Sequence, residues 1–126
     1  MINKNKGFNR LIKAFGYSIN GIKQAWLNEA AFRQETVLCI CLLPISFFIA
    51  KDIVDYILLI GTIVLVLIAE LFNSAIESLT DRVGLDKHEL SGRAKDMASA
   101  PAFITLIFLA FVWLSLAWDN IFSQYF

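Results

Sequence analysis

Residues 97–118 run for 22 positions without one charged side chain. As a helix rising about 1.5 Å per residue, that stretch is about 33 Å long, enough to cross the ~30 Å hydrocarbon core of a bilayer. A backbone in lipid must satisfy its own polar groups, so a segment of this kind commits the chain to helices. Two further stretches follow the same rule. Residues 36–50 are uncharged and extend backward through Ala30, Ala31 and Phe32, with Pro44 removing one backbone donor and bending the helix. Residues 53–69 are apolar apart from Asp55, and the helical pattern continues through Glu70, Asn73, Glu77 and Asp81 until Gly84 offers a C-terminal stop. This middle span is longer than a bilayer requires and is expected to protrude into water.

Composition agrees with a membrane chain. At 126 residues the protein is 58% hydrophobic and 17% charged, too apolar for a small soluble domain to hide its surface from water. The 11 Phe, 3 Trp and 3 Tyr exclude disorder, and equal numbers of basic and acidic residues, 11 each, argue against nucleic acid as a partner. The two cysteines, Cys39 and Cys41, make no disulfide scaffold and read as packing residues on different sides of a helix.

The N-terminal section is different in kind. Residues 1–35 carry six of the eleven basic residues, Lys4, Lys6, Arg10, Lys13, Lys23 and Arg33, while Phe8, Leu11, Ile12, Phe15, Ile19, Ile22 and Trp26 recur at steps of three and four. That pattern predicts an amphipathic helix lying in the membrane interface and not a cleaved signal. The expected architecture is an all-α membrane protein in a single membrane domain over 1–126. A surface helix occupies about 5–28, and spans occupy about 30–50, 53–83 and 91–121.

Lys and Arg number six in the N-terminal section, one at the Lys51 turn, four between residues 82 and 95, and none after Trp118. The positive-inside rule then predicts a cytoplasmic N-terminus and second loop, with the Lys51 turn and C-terminus facing outward. Trp113, Trp118, Phe122, Tyr125 and Phe126 are expected to form an aromatic anchor at the outer interface.

The chemistry concentrates in AELFNSAIESLTDR, residues 69–82. Glu70, Asn73, Ser74, Glu77 and Asp81 project within a wedge of roughly 100° on a helix, and the stripe begins near membrane depth. Carboxylates there are costly and mark a site by default. Glu77 with a second carboxylate could hold magnesium, which keeps waters and substrate phosphates as its other ligands. Glu70, the deeper, suits a general base for a hydroxyl at the interface. Another carboxylate, Glu29, stands where the surface helix gives way to the first span. Lys and Arg in residues 88–96 suit either phosphate or a positive-inside anchor. No P-loop and no G-x-G-x-x-G occurs, and His88 with the two cysteines makes no plausible zinc site.

Four blocks, GF-x-R-x-x-KA-x-GYS at 7–18, Trp26 with NEAAFRQE at 28–35, E-x-x-NSAIE-x-x-x-DR at 70–82 and HELSGRAKDM at 88–97, resemble the prokaryotic diacylglycerol kinases. The resemblance covers about 7–118 and implies a homotrimeric bundle of the bacterial inner membrane with active sites shared between subunits. The implied reaction transfers the γ-phosphate of ATP to diacylglycerol, giving phosphatidic acid, with magnesium as cofactor. It further implies Glu70 as proton acceptor with Asn73 supporting, and Glu29 and Glu77 as metal ligands that also lie at the nucleotide. Arg10, Tyr17, Asp86, Lys87, His88, Lys95 and Asp96 resemble the remaining nucleotide contacts. Lipid contacts would be Arg10, Ala14, Phe15, Gly16, Tyr17, Ser18, Ile19, Lys23, Gln24, Ala25, Trp26, Ala31, Phe32, Arg33, Gln34, Glu35, Glu70, Ser99 and Trp113. Pro101, one turn into the third span, departs from the pattern; its ring opposes the carbonyl of Met97 and is expected to kink the helix beside Ser99. Asp86-Lys87 also departs from the family's loop. The alternatives are a polyisoprenoid alcohol kinase of the same structural family, and a small proton- or ion-conducting oligomer using Glu70 and Glu77 as relay groups.

Overall fold

The structure, a computed structural model, describes residues 6–125. Lys4, Phe126 and the expected first residue of the surface helix, Asn5, lie outside the described residues. Four α-helices follow one another: α1 Phe8–Asn28, α2 Ala30–Ile49, α3 Ile53–Val83 and α4 Glu89–Asn120, the last continued by a short 3-10 turn, Phe122–Gln124. α2, α3 and the segment Glu89–Gln124 are each long and apolar enough to cross a membrane.

Single residues set the corners. Glu29 ends α1 and starts α2, its extended backbone (φ −118°, ψ 108°) breaking the helical ladder at one position. Its N–H still donates to Ala25 O at 2.9 Å, and its carbonyl already accepts from Arg33 N at 3.1 Å. At the far end, Asp52 caps α3 by accepting from Asp55 N at 3.0 Å. α4 starts where His88 Nδ1 accepts from Leu90 N at 3.1 Å. α3 does stop at Gly84, but with φ 174° the cap is ordinary extended backbone. The left-handed turn that would demand glycine is not used there. Pro44 and Pro101 both sit inside unbroken helices.

α3 is the central helix, packing most extensively on α4 and next on α2. The core is Cys39 and Ile49 of α2, Leu59, Ile63 and Val66 of α3, and Leu109, Val112, Trp113 and Ala117 of α4. Cys39 is buried and Cys41 exposed, as their spacing predicts.

Trp113 is a correction. It is 6% exposed, and its Nε1 donates to Thr62 Oγ1 at 3.0 Å and Leu59 O at 3.2 Å. An indole N–H in an apolar interior needs an acceptor, and a threonine at the facing position of α3 supplies it. Trp113 is therefore a strut between α3 and α4 and no part of a surface anchor, whereas Trp118, Phe122 and Tyr125 are exposed. Beyond it, Asn120 Nδ2 donates to Ile49 O and to Asp55 Oδ2, each at 2.8 Å. That clasp ties the end of α4 to the α2–α3 turn and fixes which faces meet at the opposite end of α3.

Candidate functional site

The acidic stripe of α3 faces the corner between α1 and α2. Glu70 is 4% exposed and Ser74 7% exposed, while Asn73 and Glu77 are half-buried. Because Glu29 makes no cap bond with its own helix, its carboxyl is free to turn toward α3. There it shares the wall of a cleft with Ser78 and feels the charges of Glu77, Asp81 and Glu70. Burial raises the Glu29 carboxyl above its ordinary value of 4.5, and Glu77 raises it further, against the lowering effect of Ser78. Glu29 is thus within electrostatic reach of both Glu70 and Glu77 in one chain. Among the described residues, no three carboxylate, histidine or cysteine side chains are close enough to hold a metal ion unaided.

Glu35, on α2, lies near enough to Glu70 for the two carboxyls to influence one another. The sequence marks Glu35 only as a lipid contact, and nothing in one-dimensional spacing pairs it with α3. Arg33 carries the same expectation, and the structure gives it a definite structural duty. Its Nη1 donates to Trp26 O at 2.8 Å and Leu27 O at 3.2 Å, satisfying carbonyls that the end of α1 leaves open.

On the water side of the stripe, Lys95 Nζ donates to Asp81 Oδ1 at 2.8 Å. This pair joins α4 to α3 and sets Lys95 beside a hollow of about 480 Å³ lined by Asp86, Lys87, His88, Ser91, Gly92 and Lys95, among others. Four of the expected nucleotide residues therefore share one concavity. Asp96 lies outside it, with its carbonyl accepting from Ser99 Oγ at 2.9 Å. Arg10 and Tyr17 are exposed on α1 and line neither hollow.

A larger cleft of about 660 Å³ opens between α1 and α3. Ser18, Gly21, Ile22, Ala25, Leu71 and Phe72 form much of its wall, and Glu29 and Ser78 stand at its polar end. Of the expected lipid contacts, Ser18, Gln24 and Ala25 line this cleft. Two others point into the protein: Phe32 is 3% exposed and Trp113 6%. Trp113 bonds to Thr62, eight residues or about 12 Å along α3 from Glu70, so it is remote from the stripe. Ala14, Phe15, Gly16, Ile19, Lys23, Trp26 and Ala31 lie on exposed helix surface, as do Gln34 and Ser99.

The arrangement is an apolar cleft with Glu29 on its wall, a polar, partly basic hollow at the α3–α4 link, and an acidic stripe on α3 in which Glu70 is buried and Glu77 half-buried. It can present an amphiphilic hydroxyl and an anionic phosphate to one another. Comparison with known proteins points the same way. The sequence profile of a family described as prokaryotic diacylglycerol kinase matches residues 16–117. The chain is similar to the diacylglycerol kinase of Escherichia coli strain K12, with 48% identity over 95% of this chain and 98% of that one. It is 46% identical to the diacylglycerol kinase of Haemophilus influenzae, over 87% of this chain and 93% of the relative. For the diacylglycerol kinase of Helicobacter pylori strain 26695 the identity is 44%, over 87% and 86%.

Proposed function

This chain belongs to the prokaryotic diacylglycerol kinase family, and from that premise we propose that it transfers the γ-phosphate of ATP to the hydroxyl of diacylglycerol at the acidic face of α3. The observation that carries this reading is that Glu29, on the wall of the apolar cleft, lies within electrostatic reach of Glu77 and Glu70 on α3, the helix that Lys95 of the polar hollow also joins.

The cleft takes the lipid. Its walls from α1 and α3 are apolar where acyl chains and glycerol carbons would lie, and its polar end opens toward the carboxylates. α1 presents Phe8, Leu11, Phe15 and Ile19 uncovered, with basic residues on its other side, and so suits an amphipathic helix seated at the membrane surface. The hollow at the α3–α4 link takes the nucleotide, with Lys87 and Lys95 as point charges for phosphate oxygens. Lys95 would exchange its bond to Asp81 for one to phosphate, a cheap move for a half-exposed ion pair.

Glu29 and Glu77 are the metal ligands in this reading. Their crowding supports it, since burial and like charge disfavour the ionised Glu29 in the absence of a cation. Two protein carboxylates suit magnesium, whose other ligands are waters and phosphate oxygens. When bound, that ion neutralises charge on the phosphates being transferred. Glu70, buried beside Asn73, accepts the hydroxyl proton as the lipid oxygen bonds to phosphorus. Asn73 helps hold the site in order.

The chain is read as one membrane domain of the bacterial inner membrane, N-terminus cytoplasmic, C-terminus outward, assembled as a homotrimer. The direct experiment is a phosphotransfer assay with purified protein, magnesium–ATP, and diacylglycerol or undecaprenol in separate reactions. Phosphatidic acid formed in clear preference to undecaprenyl phosphate is the expected result. The reverse preference would move the chain to the polyisoprenoid alcohol kinases, and no transfer to either lipid would remove the kinase reading.

A further inference from the structure

The cleft between α1 and α3 holds an amide whose direction its neighbour fixes. Asn28 Nδ2 donates to Gln24 O at 2.9 Å and to Gln24 Oε1 at 3.1 Å. A backbone carbonyl only accepts, so the Asn28 atom that reaches it is the amide nitrogen. The Gln24 side-chain atom facing that same nitrogen is then its oxygen. Gln24 Nε2 is thereby turned away from Asn28, and among the described residues its two hydrogens have no acceptor. Gln24 and Asn28 both line the cleft.

A second donor stands on the α3 wall of the same cleft. Ser74 is 7% exposed, and among the described residues its hydroxyl has no hydrogen-bond partner. A serine or threonine within a helix can always bond back to a carbonyl three or four residues earlier. Ser46, Thr62, Thr80 and Thr105 do so, as does Ser18 on the α1 wall, whose hydroxyl donates to Ala14 O at 3.0 Å. Ser74 forgoes that bond. Two helices thus bring one N–H group and one O–H group to a largely apolar cleft, an arrangement that is costly until a ligand supplies acceptors.

We propose that Gln24 and Ser74 are specificity-determining residues that donate to the fatty-acyl ester carbonyls of the lipid, with Asn28 as the positioning residue that aims the Gln24 amide. This rests on the reading of the cleft as the lipid site. A diacylglycerol brings two ester carbonyls, which accept only, together with apolar chains and a single hydroxyl. A polyisoprenoid alcohol brings the hydroxyl and hydrocarbon alone, and would leave both donors unpaired. One ester of diacylglycerol stands on the carbon next to the one that bears the hydroxyl. Holding its carbonyl therefore limits where the hydroxyl can go, which is the kind of orientation that phosphoryl transfer requires. Gln24 lies one turn, about 6 Å, before Asn28 on α1, and Asn28 adjoins Glu29, so the ester donors and the acidic group occupy one end of the cleft.

The test compares two lipids that differ only in the carbonyl oxygens: a diacylglycerol, and the dialkylglycerol of equal chain length in which each ester carbonyl is a methylene. The full chain is assayed with magnesium–ATP in micelles of an ester-free detergent, so that only the acceptor lipid carries carbonyls. The wild type is expected to favour the ester by about tenfold in kcat/KM, the net worth of two neutral hydrogen bonds. Gln24→Leu keeps a good helix former and removes one donor, and Ser74→Ala removes the other; each should lower the preference about threefold, and the double variant should bring it near one. Asn28→Asp keeps the shape but cannot donate, so the Gln24 amide turns its nitrogen to the new carboxylate and shows its oxygen to the cleft. This variant should match Gln24→Leu. Both lipids meet the same fold, metal and nucleotide, so a merely structural defect lowers both activities and leaves their ratio alone. Equal use of the two lipids by the wild type, or a ratio unchanged in Gln24→Leu, overturns the donor role and leaves the kinase reading in place. A ratio that falls in Gln24→Leu and not in Asn28→Asp overturns the role of Asn28. No phosphorylation of either lipid by the wild type would overturn the kinase reading as well.

Discussion

Glu70 and Glu29 illustrate how much one residue's surroundings decide. Glu70 is nearly sealed from solvent and is placed one turn from Asn73 and two from Glu77. A lipid hydroxyl is too weak an acid to ionise before attack, and phosphoryl transfer depends mostly on positioning and charge, so a base contributes about 10² to 10⁴ in rate. Glu70→Gln keeps the shape and removes the acceptor; turnover should fall by that order while nucleotide affinity, measured by direct binding, stays near normal. Loss of ATP binding in the same variant would transfer Glu70 to the metal and nucleotide group. Glu29 makes a different prediction, through linkage. Its folded-state value is raised above the ordinary 4.5, so the stabilisation it gives is complete below that value and is lost as pH rises through the folded value. Glu29→Gln should therefore raise the thermal midpoint of metal-free protein slightly at neutral pH and bring no gain below pH 4.5. With magnesium the order reverses. A ligand at a hundred times its Kd stabilises by about 2.7 kcal/mol, and Glu29→Gln should lose most of that response. A normal magnesium-dependent shift in the variant would dismiss Glu29 as a ligand.

At the scale of elements, the helices and the acidic stripe are readable because both are periodic. An apolar run of sufficient length has one solution in lipid, and Glu70, Asn73, Ser74 and Glu77 fall on one face whatever α3 packs against. Periodicity names a face without naming its neighbour. That is why the nearness of Glu35 to Glu70, the Asp81–Lys95 pair and the inward turn of Trp113 escape a reading of the sequence: each depends on how two helices are rotated against one another. Arg33 belongs with them, since its spacing from Trp26 and Leu27 matters only once Glu29 bends the chain back. The bend and the arginine predict an elementary test. Arg33→Ala removes two charge-assisted bonds to carbonyls of α1, a loss of about 1–3 kcal/mol for the docking of that helix end. Amide exchange should quicken over residues 24–28 and leave the α3–α4 core unchanged. Uniform quickening through α3 would mean that Arg33 supports the whole bundle.

The whole molecule raises the question of which residues a neighbouring copy must supply. Glu29 lies within electrostatic reach of Glu70 and Glu77, and Lys95 of Glu77, within one chain, whereas Arg10 and Tyr17 stand exposed on α1 and line neither hollow. If those two serve the nucleotide or lipid, as the family resemblance implies, a cyclic homotrimer offers the simplest route: α1 of one subunit completes the site of the next. Large apolar side chains left uncovered along α2, α3 and α4, with small Ala75, Ala94 and Ala100 among them, suit such close approach between helices in lipid. The arrangement separates two mixing experiments. Protomers carrying Glu29→Gln and Glu70→Gln damage the same intrachain acid set, so coassembly should recover almost nothing. Protomers carrying Arg10→Ala and Glu70→Gln damage different contributors. Random pairing around a ring then gives intact sites at roughly a quarter of positions, and activity should return to about that fraction of the wild type. Recovery by the first mixture would show that the carboxylates themselves are divided between subunits. Failure of the second, in assemblies proven mixed by mass, would confine each site to one chain and leave Arg10 outside it.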